Sequence, residues 1–82
     1  MTVTNQTSVT LTILGKNLWP GKSEDYPVVG TTNLHIHSQI GSCIITTEYG
    51  QRSFMNFGKL VAEEGCEKDN NGKKTILVSA ID

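Results

Sequence analysis

Apolar and polar residues alternate strictly from Thr7 to Leu14 (TSVTLTIL). Val9, Leu11 and Ile13 fall on one side, and Ser8, Thr10 and Thr12 on the other. Successive strand side chains point to opposite faces, so this pattern predicts a half-buried strand with one solvated face. Asn33–His37 (NLHIH) repeats the alternation, with Leu34 and Ile36 opposite His35 and His37. Cys43–Tyr49 (CIITTEY) is β-branched and aromatic, which predicts another strand. The short link 38–42, containing Gly41, joins these two as an antiparallel hairpin. In 74–81 (KTILVSAI), Ile76 and Val78 share one side and Thr75, Leu77 and Ser79 the other. Leu77 implies burial on both faces, as in an interior strand. Asn71-Gly72 tolerates positive φ at both positions and marks the turn before it. Residues 2–4 predict a short strand ahead of a turn at Asn5-Gln6.

One stretch departs from this rhythm. Ser53–Gly65 (SFMNFGKLVAEEG) has helical spacing. On a wheel of about 100° per residue, Phe54, Phe57, Gly58 and Val61 share one side, opposite Asn56, Lys59 and Glu63. Ser53 suits an N-cap, and Gly65 suits a left-handed residue after the last turn. Asn56 and Gly58 oppose a helix by ~1–2 kcal/mol relative to Ala. Arg52 before the start and Glu63 and Glu64 at the end also oppose the helix dipole. The rival reading is a hairpin of Thr46–Glu48 with Ser53–Phe57, turning at Tyr49-Gly50-Gln51.

The pattern therefore predicts a single α+β domain over residues 1–82. A small antiparallel sheet of four to five strands would carry one helix, about 53–64, packed on one face. If 59–67 is instead a strand, it pairs with 74–80 and the alternative is an all-β small barrel, OB- or SH3-like. The expected core is Val9, Leu11, Ile13, Leu34, Ile36, Ile45, Phe54, Phe57, Val61, Ile76 and Val78.

Residues 15–32 form a long irregular segment holding both prolines, Pro20 and Pro27, with Trp19 and Tyr26. Loops of this length are commonly functional or flexible. Trp and Tyr carry much of the energy at protein interfaces. Overlapping the start of this region, VTLTILGKNLWPG (9–21) resembles the opening strand of immunoglobulin-like IPT domains, although the later strand spacing does not follow. The close of the chain resembles the last hairpin of an OB-fold. Neither resemblance carries functional residues over.

Charge narrows the function classes. Seven Lys and Arg stand against eight Asp and Glu, a formal net charge of −1. That balance provides no basic footprint for duplex DNA or an acidic membrane. No apolar run approaches the ~20 residues of a membrane-spanning helix. The N-terminal stretch lacks a basic region followed by an apolar block, so the expected compartment is the cytoplasm of a producing or host cell. Asn5-Gln6-Thr7 matches a glycosylation sequon and is read as chance. Cys43 and Cys66 are expected as free thiols in a reducing compartment.

Candidate chemistry is sparse. His35 and His37 share a strand face, so two imidazoles can approach one ion. A third ligand from Cys43, Glu48 or Cys66 has no recognised spacing, and the pair is expected to be solvated. No nucleophile elbow, phosphate-binding glycine loop or facing carboxylate pair is present, so an enzyme is not expected, nor a cofactor. Single-stranded nucleic-acid binding requires aromatics interleaved with basic residues, a pattern that Tyr49, Gln51, Arg52 and Phe54 approach with one basic residue. Low basic content makes that the lesser reading. Glu63, Glu64, Glu67 and Asp69, diluted by Lys68, form an acidic segment suited to a basic partner surface.

The expected function is a non-enzymatic protein-binding module, an inhibitor or adaptor of the kind phages and mobile elements encode to block a host protein. Its expected contact residues are Trp19, Tyr26, Glu63, Glu64, Glu67 and Asp69. Single-stranded nucleic-acid binding by a small barrel, and metal binding through His35 and His37, are the alternatives. An unpaired edge strand would also allow a homodimer.

Overall fold

The computed structural model describes residues 1–81 as nine strands with no helix among them. They are β1 (Thr2–Asn5), β2 (Leu11–Ile13), β3 (Lys16–Leu18), β4 (Ser23–Asp25), β5 (Thr32–His37), β6 (Gly41–Glu48), β7 (Gln51–Gly58), β8 (Leu60–Lys68) and β9 (Lys74–Ala80). One sheet has the order β4-β1-β9-β8 and the other β3-β2-β5-β6-β7. The sheets do not close into a barrel. Both the α+β expectation and the small-barrel alternative are therefore corrected to an open two-sheet, all-β fold. Every pairing is antiparallel except β1 with β9, which places the first and last strands side by side and parallel.

The expected helix is a bent strand run. β7 pairs with β6 along its whole length, from Glu48↔Gln51 to Gly41↔Gly58. The chain then turns at Gly58-Lys59 and enters the other sheet as β8. Residues three apart share a helix face but oppose each other on a strand. Phe54 therefore packs against the core, while Phe57, at 46% exposure, faces outward. Val61 likewise leaves the core, and Leu60 and Ala62 enter it. The residues that opposed a helix are the ones the corner uses. Gly58 has φ +72°, and a Cβ there would lie 2.7 Å from the Ile40 carbonyl oxygen. A Cβ on the facing Gly41 would lie 2.2 Å from the Phe57 oxygen. Lys59 N–H donates to Ile40 O at 2.9 Å, and Ile81 N–H donates to Lys59 O at 2.9 Å, tying the corner to both sheets.

Two hairpins close with two-residue turns in which both residues have positive φ, Leu14-Gly15 and Tyr49-Gly50. This geometry matches the strand twist. The long 15–32 segment is ordered by β3, by β4 and by Tyr26, whose ring lies in the core. The 9–21 stretch thus folds as a hairpin, not as an opening strand. The core joins Val3, Leu60, Ala62, Ile76 and Val78 of one sheet to Leu11, Ile13, Leu18, Leu34, Ile36, Cys43 and Ile45 of the other.

Asn5 is fully buried at the end of β1. Its Nδ2 donates to Val9 O (2.8 Å) and Leu18 O (2.9 Å). Its Oδ1 accepts from Thr7 N–H (2.9 Å) and the Thr7 hydroxyl (2.6 Å). Backbone bonds from Asn5 N–H to Lys22 O and from Gly21 N–H to Asn5 O, 2.9 and 2.8 Å, complete the knot. Glycosylation at this sequon is incompatible with the folded chain, because both amide hydrogens are engaged in the interior.

Replacing Asn5 by Ala should lower unfolding free energy by ~2–4 kcal/mol, because four buried partners lose their bonds at once. Urea denaturation checks this. A loss below ~0.5 kcal/mol, the size of an ordinary surface change, would show that the knot is dispensable.

Candidate protein-binding face

The outer face of the five-stranded sheet can be read row by row from the strand register. Residues opposite one another on neighbouring strands point the same way. Leu34, Ile36, Cys43 and Ile45 face inward, so their neighbours face out. One row runs across all five strands as Asn17, Thr12, His37, Ser42 and Phe57. The next holds His35, Ile44 and Met55, and the next Asn33, Thr46 and Ser53. None of these side chains is charged. Trp19 follows β3, 58% exposed, and borders a shallow depression with Thr10, Thr12, Asn17 and His37. Met55 is 55% exposed. An indole, a phenyl ring and a thioether thus stand in solvent on a sheet face whose outward strand positions carry one charge, Glu48 opposite Gln51.

The expected contact residues are scattered rather than united. Trp19 is on this face. Tyr26 is not a surface group: its ring is buried, its N–H donates to Met1 O at 2.7 Å, and burial, with Glu24 nearby, raises its phenol pKa. Glu63, Glu64 and Glu67 lie exposed on β8, at the edge of the other sheet. There the strand bulges: from Glu64 to Lys68 it advances four residues while β9 advances two, from Ile76 to Lys74. Glu64 lies 3.5 Å from Arg52 Nη1, which also donates to the Lys74 carbonyl and so fastens β7 to the opposite sheet. Asp69 serves its own turn. Its Oδ1 accepts from Lys73 N–H (3.0 Å) and Asn71 N–H (2.9 Å), bonds that hold the carboxyl below its usual range.

Met55, Phe57 and Ile44 are the contact candidates that sequence reasoning missed. Reading 53–57 with period two puts Ser53, Met55 and Phe57 on one face, and that signal was present in the chain.

The alternatives lose neighbours. His35 and His37 stack with ring centroids 6.0 Å apart. Cys43 faces the core and Cys66 is on the other sheet, so neither joins them, and among the described residues no group of three or more potential ligands forms. Of the expected nucleic-acid platform, Gln51 faces out with Ser53, whereas Arg52 and Phe54 face in. Among the described residues no helix is long and apolar enough to cross a membrane. Comparison with protein-family models, with curated proteins and with solved structures finds no match.

Both cysteines are free, Cys43 buried and Cys66 exposed. Burial pushes the Cys43 thiol up to about 11. At pH 8 iodoacetamide should therefore modify one thiol per native chain, Cys66, and two after unfolding. Mass spectrometry of peptides checks the assignment. The raised Cys43 value also fixes a sign. Its stabilising contribution is complete below the ordinary thiol value of 9.0 and is lost as pH rises through about 11, with Tyr26 acting in the same direction.

Proposed function

We propose that this protein is a non-enzymatic protein-binding module, an inhibitor or adaptor, that docks through the outer face of its five-stranded sheet. The observation that carries this reading is a charge-poor face displaying Trp19, Met55 and Phe57, with Glu48 its one outward carboxylate. Interface centres are depleted in charge and enriched in aromatic residues and Met. Single exposed apolar residues need no explanation, but Met55 and Phe57 stand together on β7, with Ile44 beside Met55 and Trp19 at the far edge of the same charge-poor face. The partner surface is apolar at its centre with basic residues beside it. Glu63, which alternates with buried Ala62 and so projects from the other sheet's outer side, and Glu67 act at long range, favouring the encounter rate more than the final affinity.

One observation favours a second reading. β7 is an eight-residue edge strand with no Lys or Pro to blunt it. Such an edge can pair with a second copy. Light scattering over a concentration series distinguishes a homodimer from a monomer.

For the first reading, the partner should be recovered in one-to-one stoichiometry. Trp19→Ala and Phe57→Ser should each weaken that complex at least ~10-fold, about 1.4 kcal/mol, with the melting temperature held. Glu63→Lys with Glu67→Lys should slow association and leave dissociation nearly unchanged. Binding that survives both face variants would sink the assignment of the face.

A further inference from the structure

At one end of the sandwich a cleft of about 440 Å³ opens between residues 28–31, the β6–β7 turn and the β8–β9 turn. Its size falls in the ~300–1,000 Å³ range of small-ligand sites. Val28 and Tyr49 form apolar wall, and Thr47, Arg52 and Lys73 bring hydrogen-bond donors. Asp69 is the one carboxylate among its lining residues.

Three groups in this cleft have capacity that the fold leaves unused. Thr47 faces between the sheets, and its Oγ1 is buried with no hydrogen-bond partner. Such a group usually finds one. Tyr49 has φ +52°, a left-handed conformation that disfavours bulky residues, yet its side chain is 92% exposed and gains no packing in return. Arg52 uses Nη1 on the Lys74 carbonyl and Glu64, while its Nε and Nη2 take no protein partner among the described residues. Asp69 remains ionised, but its Oδ1 is turned to the Lys73 and Asn71 amides of its own turn.

We propose that the cleft binds a small amphipathic anion, an apolar or aromatic body ending in a carboxylate. The carboxylate meets the Arg52 guanidinium and the Lys73 ammonium, an arrangement suited to charge-assisted bonds. Rotation of Thr47 about χ1 exchanges its methyl and hydroxyl groups and lets the hydroxyl donate as well. The body lies between Val28 and the Tyr49 ring. A left-handed aromatic residue at the rim then has a purpose that the unstrained Asn-Gly turn would not serve.

Phenylacetate is the probe, with phenylacetamide as its neutral match. Titrated into ¹⁵N-labelled protein, phenylacetate should shift the amide signals of Thr47, Tyr49 and Lys73 saturably at millimolar concentration, and phenylacetamide at least ~10-fold more weakly. Tyr49→Asn should raise the melting temperature and weaken phenylacetate at least ~10-fold, because strain and wall are removed together. Lys73→Gln should weaken phenylacetate and leave phenylacetamide unchanged. Absence of saturable shifts in the wild-type chain, or equal responses to the two probes, would overturn the proposal. Binding unaffected by Tyr49→Asn would overturn it too. None of these readouts involves the outer sheet face, so this site stands or falls independently of the protein-binding reading.

Discussion

The buried Asn5 amide is the interaction on which the two sheets depend. An isolated amide in an apolar interior costs several kcal/mol unless it is fully bonded. Here both donors and the oxygen find partners, and those partners come from different segments. Val9 belongs to the approach to β2 and Leu18 to the end of β3. The backbone of Asn5 meets Gly21 and Lys22, just before β4. Gln6 N–H donates to Val78 O of β9 at 2.8 Å. One residue therefore sets where the chain leaves the four-stranded sheet, where it enters the five-stranded sheet and where it returns. A side chain with so many conditions admits few alternative packings, which is how polar core groups specify a fold.

The opposite flank is organised by close approach instead. Gly41 and Gly58 let the chain leaving β7 turn against the start of β6 at a separation no side chain would permit. The corner directs the chain into β8, and Asn56 Oδ1 accepts the Ala62 N–H at 3.1 Å across the bend. Arg52 closes the far end of the same flank through the Lys74 carbonyl. Polar bonds thus hold β7 to β8 and β9 without a shared ladder, and the outward residues of β7 remain free of structural duty.

Much of this was legible in the chain. The alternation of TSVTLTIL, NLHIH and KTILVSAI places Leu11, Ile13, Leu34, Ile36, Ile76 and Val78 inside, and all six are buried, but the 7–14 strand shortens to Leu11–Ile13 and Val9 is only half-buried. The 53–65 run was not legible because Phe54, Phe57 and Val61 satisfy a helical period by coincidence. They are split by a glycine corner whose φ is set by tertiary crowding, which no local propensity records. Tyr26 misled for a related reason. Its neighbours Asp25 and Pro27 read as loop, but its ring enters the core from the crossing between the sheets. Leu14 and Tyr49 occupy turn positions that Asn or Gly normally fills, so both turns lack their usual signature.

The edge strand β7 shows which outward residues the fold leaves unexplained. Unpaired edges are commonly guarded by inward charges, bends or coverage. β7 has an inward Arg52 and a bend at Gly58, and both act from the core side. Neither requires an apolar residue on the outer face. Met55 opposite Ile44 and Phe57 opposite Ser42 contribute modest cross-strand contact, which Thr or Val would match. Exposure of a phenyl ring and a thioether on a charge-poor sheet face is unfavourable for solubility. The forces that build this sandwich do not call for those side chains. They are the side chains that the proposed docking reading puts to use, since a partner surface would remove them from water.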